Sequence, residues 1–203
     1  MKIIEWARKV QAIAQNGLFF SKDTYDIERY EQLQQLTASV LSAKLTIPED
    51  ETRELWCHEK GYATPKVDVR GAVFVEGKIL LVRERADGKW TMPGGWADIN
   101  DTPSEAVVRE IYEESGFTTK AIKLAALYDR NRHPHPPMIY HVYKLFFICD
   151  LVSGSAKHSH ETDGVQFFSP EGLPELSTSR VTETQILRLF EHNQNREWPT
   201  EFD

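Results

Sequence analysis

Apolar residues recur at helical spacing along the amino-terminal third of the chain. Ile4, Ala7, Val10, Ile13 and Ala14 fall on one side of a 3.6-residue repeat, and Gly17 offers a stop. A second run begins near Asp23 and carries Tyr25, Ile27, Tyr30, Leu33, Leu36, Val40 and Leu41. A third, shorter run starts near Pro48, with Asp50 and Glu51 suited to a helix amino end, and passes Leu55 and Trp56. The stretch 58–65, containing Gly61 and Pro65, reads as a boundary. Residues 1–62 are therefore expected to form a helical module and residues 66–203 a second domain.

Beyond the boundary the period changes to two. Val67, Val69, Val73 and Val75 alternate with Asp68, Arg70 and Glu76, as in a strand, and a turn at Glu76-Gly77 leads into a second strand over 78–85. On that strand Ile79, Leu81, Arg83 and Arg85 are expected to share a face. Further strands are predicted at 121–128, 139–149 and 165–168, and helices at 103–114 and 182–191. Strands mixed with two helices make this an α/β or α+β domain behind a helical module.

Composition narrows the class. The 203 residues are 40% hydrophobic, enough to bury a core, and no apolar stretch is long enough to span a membrane. The amino terminus carries charges inside its apolar pattern and lacks a small-residue cleavage site, so no secretory signal is expected. A net charge of −7 disfavours a nucleic-acid coat, which needs clustered cations, but leaves local binding of a phosphorylated small molecule open. Cys57 and Cys149 lack metal-type spacing and read as buried or incidental thiols in a reducing cytoplasm.

The chemistry concentrates in PGGWADINDTPSEAVVREIYEESGF, from Pro93 to Phe117. Thr102 can cap a helix, Pro103 suits its first position, Glu105 completes a capping box, and Gly116 ends it. Val107, Val108 and Ile111 form the stripe to be buried. Glu110, Glu113 and Glu114 stand at i, i+3 and i+4, so their carboxylates share another face. Three like charges that close repel one another. The trio is either a solvated acidic face or a site for a hard divalent cation such as Mg²⁺, which takes oxygen ligands and sits between carboxylates and phosphates. The Gly94-Gly95 turn ahead of the helix lets a backbone carbonyl approach the same ion, and helix and turn together favour the metal site.

These residues resemble the Nudix box, G-x5-E-x7-R-E-U-x-E-E-x-G-U, with U a bulky hydrophobe. Gly95, Arg109, Glu110, Ile111, Glu113, Glu114, Gly116 and Phe117 all agree with it. The departure is Asp101, one methylene shorter than the family's Glu, which often pairs with the box arginine; the orientation of Arg109 is what the substitution bears on. The resemblance implies an α/β/α sandwich around a mixed sheet. It also implies hydrolysis of a nucleoside diphosphate linked to another group, X, with Mg²⁺ or Mn²⁺. Carried over by position, Glu110, Glu113, Glu114 and the Gly94 carbonyl would hold metal and Arg109 would brace the carboxylates. Water attacks the diphosphate directly, so neither cysteine need be catalytic.

In the family a general base often comes from a loop before a late strand. Glu161, in HSHETDGVQFF, occupies such a place as base or extra metal ligand, with Asp163 beside it. Glu113 is the alternative proton acceptor, and His158 and His160 offer zinc with Glu161 as another reading. Arg83 and Arg85, just ahead of the glycine turn, are candidate phosphate clamps. The Pro-stiffened loop from Tyr128 to Pro137 carries Arg130, Arg132, His133 and His135, donors for phosphate or ribose. Trp90 and Trp96 flank the turn as core residues or as stacking surfaces.

WARKVQAIAQNGL, YDIERYEQL and FFSPEGLPELSTSR are similar to a bacterial Nudix subgroup with a helical extension, including CDP-choline pyrophosphatases and ADP-ribose pyrophosphatases. That similarity implies a homodimer and a CDP-choline-type substrate first, ADP-ribose second. RNA-end processing lacks a supporting basic stripe. A non-catalytic nucleotide sensor would be expected to lose box acids, which are present here.

Overall fold

The alternation that begins at Val67 becomes the centre of a seven-stranded mixed sheet. In a computed structural model, which describes residues 2–45, 48, 50, 52, 54 and 59–203, β1 (Lys66–Val75) pairs in parallel with β5 (Val142–Gly154). β1 turns at Glu76 and Gly77, both at positive φ, into antiparallel β2 (Lys78–Glu84). β2 is flanked by β3 (Trp90–Thr91) and β6 (Thr162–Phe168). Beyond β5 lie antiparallel β4 (Phe117–Asp129) and short β7 (Glu201–Phe202), giving the order β3-β2-β1-β5-β4-β7 with β6 on β2.

Helices cover both faces. Leu145, Phe147 and Cys149 of β5 join Val69, Val73 and Leu80 against Val107 and Ile111 of α3 (Pro103–Ser115). Phe146 and Ile148, one residue out of phase, join Ala72, Ile79 and Leu81 against Ile186, Leu189 and Phe190 of α4 (Glu183–Gln194). Period-two alternation in β5 thus feeds two cores, and each large side chain so buried contributes roughly 1.5–3 kcal/mol. The polar positions of β1 are consequently inside: Asp68 and Arg70 are both buried. Gly71 lets α3 approach, since a Cβ there would lie 2.4 Å from Cδ1 of Ile111.

The chain divides into two compact units, residues 1–65 with 137–141, and residues 66–136 with 142–203. In the first, α1 (Ile3–Phe20) and α2 (Thr24–Leu45) bury Ala7, Ala14, Ala38 and Leu41. Gly17 does not end α1, which runs on to Phe20. A Cβ at Gly17 would sit 2.4 Å from the Tyr30 ring, so the glycine serves close helix packing instead. Arg8 Nε donates to the Ile139 carbonyl (3.0 Å), within the same unit; the strand expected from 139 accordingly starts at Val142. Glu51, Leu55, Trp56 and Cys57 lie outside the described residues.

Candidate active site

The acidic helix is built as its ends foretell. Thr102 accepts from the Glu105 amide while Glu105 accepts from the Thr102 amide, and Gly116 closes the helix at φ 77°. Arg109 is the hub of its polar face. Its Nε meets Asp101 Oδ2 at 3.1 Å, and its other nitrogens meet Glu110 Oε1 at 2.9 Å, Glu113 Oε2 at 3.1 Å and Asp98 Oδ2 at 3.1 Å. The shorter Asp101 therefore still reaches the arginine.

Glu114 is set apart from this fork. It is only 5% exposed, and its Oε2 accepts from the Gly94 amide at 3.0 Å. Burial pushes its carboxyl up to about 8, against the opposing pull of Arg70 and the Gly94 amide. Burial likewise raises Glu110, against the pull of Arg109. The turn is shaped for close approach. Gly94 has φ 141° and a Cβ there would strike the Val69 carbonyl at 2.0 Å, while a Cβ at Gly95 would lie 3.0 Å from Glu110 Oε2. The Pro93 and Gly95 carbonyls accept from Gly71 and Val69, whereas among the described residues nothing donates to the Gly94 carbonyl.

Behind Glu114 lies a buried group that sequence reading missed. Arg70 grips Asp68 bidentately at 3.0 and 2.8 Å and donates to the Met92 carbonyl, and Lys144 Nζ sits 2.5 Å from the same Asp68. Two cations share one carboxylate, and the Arg70 charge also acts on Glu114 and Glu84. Glu84 was missed as well. It follows Leu80 and Val82 on the α3 side of β2, is buried, and raises the Glu114 pKa by repulsion. The period-two parity of β2 was the signal that could have found it.

The loop before β6 is fastened to the helix end. Thr162 Oγ1 donates to the Glu114 carbonyl (2.7 Å), the Lys157 amide donates to Ser115, and the Glu161 carbonyl accepts from the Arg85 amide (2.9 Å). Glu161 is thereby close enough to Glu84 to raise its pKa, and its own carboxylate faces solvent beside His160 Nε2 at 3.1 Å. Asp163 is ion-paired with Arg83 at 2.7 Å. Arg83 and Arg85 do not continue one strand face as expected: β2 ends at Glu84 with a register shift between Arg83 and Glu84, and Arg85 lies against the Ser159 carbonyl.

The Pro-rich loop also differs from expectation. Arg130 is buried and donates to the Pro136 and Ser179 carbonyls at 2.9 and 3.1 Å, so its cation serves the loop's shape rather than a phosphate. His133 stacks on Tyr128 and meets Asp203 at 3.3 Å. His135 Nδ1 contacts the Thr178 carbonyl at 2.7 Å, and burial lowers its pKa to about 4. Trp90 packs edge-on against Phe168, whereas Trp96 is exposed.

Among the described residues no three His, Cys, Asp or Glu side chains converge on one point, which gives no support to zinc at His158 and His160. The box acids are neighbours, each turned to Arg109 or to the Gly94 amide. Their chemistry nonetheless fits a hard cation: all donors are oxygens, two are carboxylates whose burial is incompletely compensated, and the glycine cradle leaves a backbone carbonyl beside them.

Comparison with known proteins agrees with this geometry. The NUDIX domain model matches residues 64–190, and a model described as "UDP-X-like, N-terminal oligomerisation domain" matches residues 1–56. The chain is 46% identical over 202 residues, 100% of its length and 97% of the relative's, to the Bacillus subtilis (strain 168) protein named "Putative ADP-ribose pyrophosphatase YjhB". A solved structure titled as a UDP-X diphosphatase aligns over 100% of both chains with 33% identity and a TM-score of 0.66. One titled as an ADP-ribose pyrophosphatase from Streptococcus suis 89-1591 covers 69% of this chain and 100% of its own, with 38% identity and a TM-score of 0.64. Box, sheet and matches together place the chain in the Nudix family, as a pyrophosphohydrolase with an amino-terminal helical extension.

Proposed function

We propose that the protein hydrolyses the diphosphate bridge of a nucleoside diphosphate linked to a second group, releasing a nucleoside monophosphate and a phosphorylated compound. The observation that carries this reading is the intact acidic face of α3 beside the Gly94 turn. Glu110, Glu113, Glu114 and the Gly94 carbonyl would hold Mg²⁺ or Mn²⁺, which when bound neutralises charge developing on the phosphate oxygens and acidifies water. Arg109 braces Glu110 and Glu113 from the side. Arg70 supplies positive charge behind Glu114, which opposes the burial that favours the neutral form of this acid. Glu161, held next to the end of α3 by Thr162, takes the proton from the attacking water as one P–O bond forms and the bridging P–O bond breaks. Arg83 and Arg85, at the end of β2, and His133, on the Pro-rich loop, are substrate contacts in this reading, with Arg83 released from Asp163 by the more highly charged diphosphate.

ADP-ribose and UDP-linked compounds stand ahead of CDP-choline as substrates, because similar proteins bear those names. Assembly as a homodimer through the helical extension is supported by the matched oligomerisation model and by exposed Ile13, Phe19, Phe20 and Leu36. No described helix is long and apolar enough to cross a membrane, and the buried thiol of Cys149 suits a reducing cytoplasm.

A turnover panel tests the reading: ADP-ribose, UDP-sugars, CDP-choline and 5′-triphosphate RNA, each with Mg²⁺ and with EDTA. Hydrolysis of a diphosphate-linked compound that EDTA abolishes is expected. Turnover of the RNA alone, or turnover indifferent to EDTA, would overturn it.

A further inference from the structure

The Pro-rich loop and the segment STSR (Ser177, Thr178, Ser179 and Arg180), the latter with no role in the reading above, meet in the structure. Arg130 donates to the Ser179 carbonyl and His135 contacts the Thr178 carbonyl, so the loop is fastened to this segment. On its other side the segment is fastened to the end of β2. Ser177 Oγ donates to Asp87 Oδ2 at 2.7 Å, and Arg180 Nε lies 3.0 Å from Glu84 Oε1. Arg180 also reaches Ser177 Oγ at 3.0 Å and Asp87 Oδ2 at 3.4 Å through one terminal nitrogen.

Arg180 differs from three other arginines near the site. Arg70 and Arg130 are buried and spend their donors on protein. Arg109 is committed to four carboxylates. Arg180 is 30% exposed in its side chain, and two of its nitrogens are held by Glu84, Asp87 and Ser177. Among the described residues its second terminal nitrogen has no hydrogen-bond partner. Its carboxylate partner Glu84 is close enough to both Glu114 and Glu161 to be felt by their charges or to feel them. A guanidinium clamped on one edge and open on the other is preorganised, so little side-chain entropy is lost when an anion binds.

We infer that Arg180, aimed by Glu84 and Asp87, is a substrate-contacting residue whose open edge receives a phosphoryl oxygen of the diphosphate beside the acidic helix face. The role deepens the proposed function and rests on it. Glu84 and Asp87 are positioning residues: they orient the cation without touching substrate. The segment linking Arg180 to Arg130 and His135 joins this contact to the Pro-rich loop.

The test uses the full chain with Mg²⁺ and two readouts. One is KM and kcat for whichever of ADP-ribose, UDP-sugar or CDP-choline the wild type hydrolyses; the other is calorimetric affinity for inorganic pyrophosphate, which needs no turnover. Loss of one charge-assisted contact predicts that Arg180→Ala weakens pyrophosphate binding and raises KM by roughly 10- to 100-fold. Arg180→Lys should recover part of the loss, and Glu84→Gln should raise KM in the same direction, less severely. Unchanged pyrophosphate affinity and KM in folded Arg180→Ala, or in Arg180→Lys should the alanine variant fail to fold, would overturn the inference. A wild type that hydrolyses none of the compounds, yet binds pyrophosphate through Arg180, would overturn the proposed reaction and leave the anion contact standing.

Discussion

At the scale of single residues, the site sets one buried carboxylate against several braced ones. Glu114→Gln removes a charge that a hard cation would use, without changing volume. Turnover should fall by several kcal/mol of lost charge stabilisation, on the order of 10³-fold, with an unchanged circular dichroism spectrum. Wild-type rates in that variant under saturating Mg²⁺ would remove Glu114 from the site. Glu161→Gln should cost roughly 10²-fold or more in kcat and flatten the acid limb of the pH–rate profile. If that limb is unmoved, the proton goes to Glu113 instead. His135 reports on the Pro-rich loop. Its pKa is about 4 because burial disfavours the charged ring, below its ordinary value of 6.5. A histidine lowered on folding contributes stability that is fully present above the unfolded pKa and is lost as pH falls through the folded one. Stability should therefore decline between about pH 6.5 and 4, by about 2 kcal/mol after allowance for partial exposure, and less steeply in His135→Gln. Denaturant melts at several pH values measure the difference.

Much of this chemistry was legible because it is local. Glu110, Glu113, Glu114 and Arg109 lie within two turns of one helix, so spacing alone brings them together. Arg70 and Arg180 were not, because each reaches the site through a residue far along the chain, Glu114 for Arg70 and Glu84 for Arg180, and Glu84 left only the parity of β2 as a signal. Arg130 looked like a phosphate ligand by charge and turned out to be a loop clamp, since burial is decided by packing that no local pattern reveals.

The elements follow their signals closely where the signals are steric. The capping box at Thr102 and Glu105 starts α3 where expected, and Thr102→Ala should cost about 1 kcal/mol in unfolding free energy by chemical denaturation. Gly71 is a stricter site. A methyl group there meets Ile111 at 2.4 Å, so Gly71→Ala should destabilise by roughly 1–3 kcal/mol and tilt α3 away from β1, lowering activity together with stability. An alanine variant with wild-type melting behaviour would contradict that packing. Boundaries were less legible. Gly17 sits inside α1 because Tyr30 needs the space, and β5 starts at Val142 because residues 137–141 belong with the helical unit. The two-residue strands β3 and β7 carry too few positions to show a period at all.

At the scale of the molecule, the α/β class was readable from mixed periods, but burial of Asp68, Arg70 and Lys144 was not. Helices on both faces of the sheet turn what reads as a polar face into an interior, and the three charges there survive by pairing. The helical extension leaves large apolar side chains exposed, which a second copy would cover. If the proposed homodimer forms through this surface, Phe20→Asp should sediment as a monomer where the wild type sediments as a dimer, and a monomeric wild type would dismiss the proposal.

The metal site proposed on the acidic face of α3 can be probed on its own. Titration of Mn²⁺ into the protein, followed by the loss of its free electron paramagnetic resonance signal, tests it without any substrate. Bound Mn²⁺ that Mg²⁺ displaces is expected, with affinity at least roughly tenfold weaker in Glu114→Gln and Glu110→Gln. Absence of bound Mn²⁺ in the wild type, or equal affinity in both variants, would contradict it.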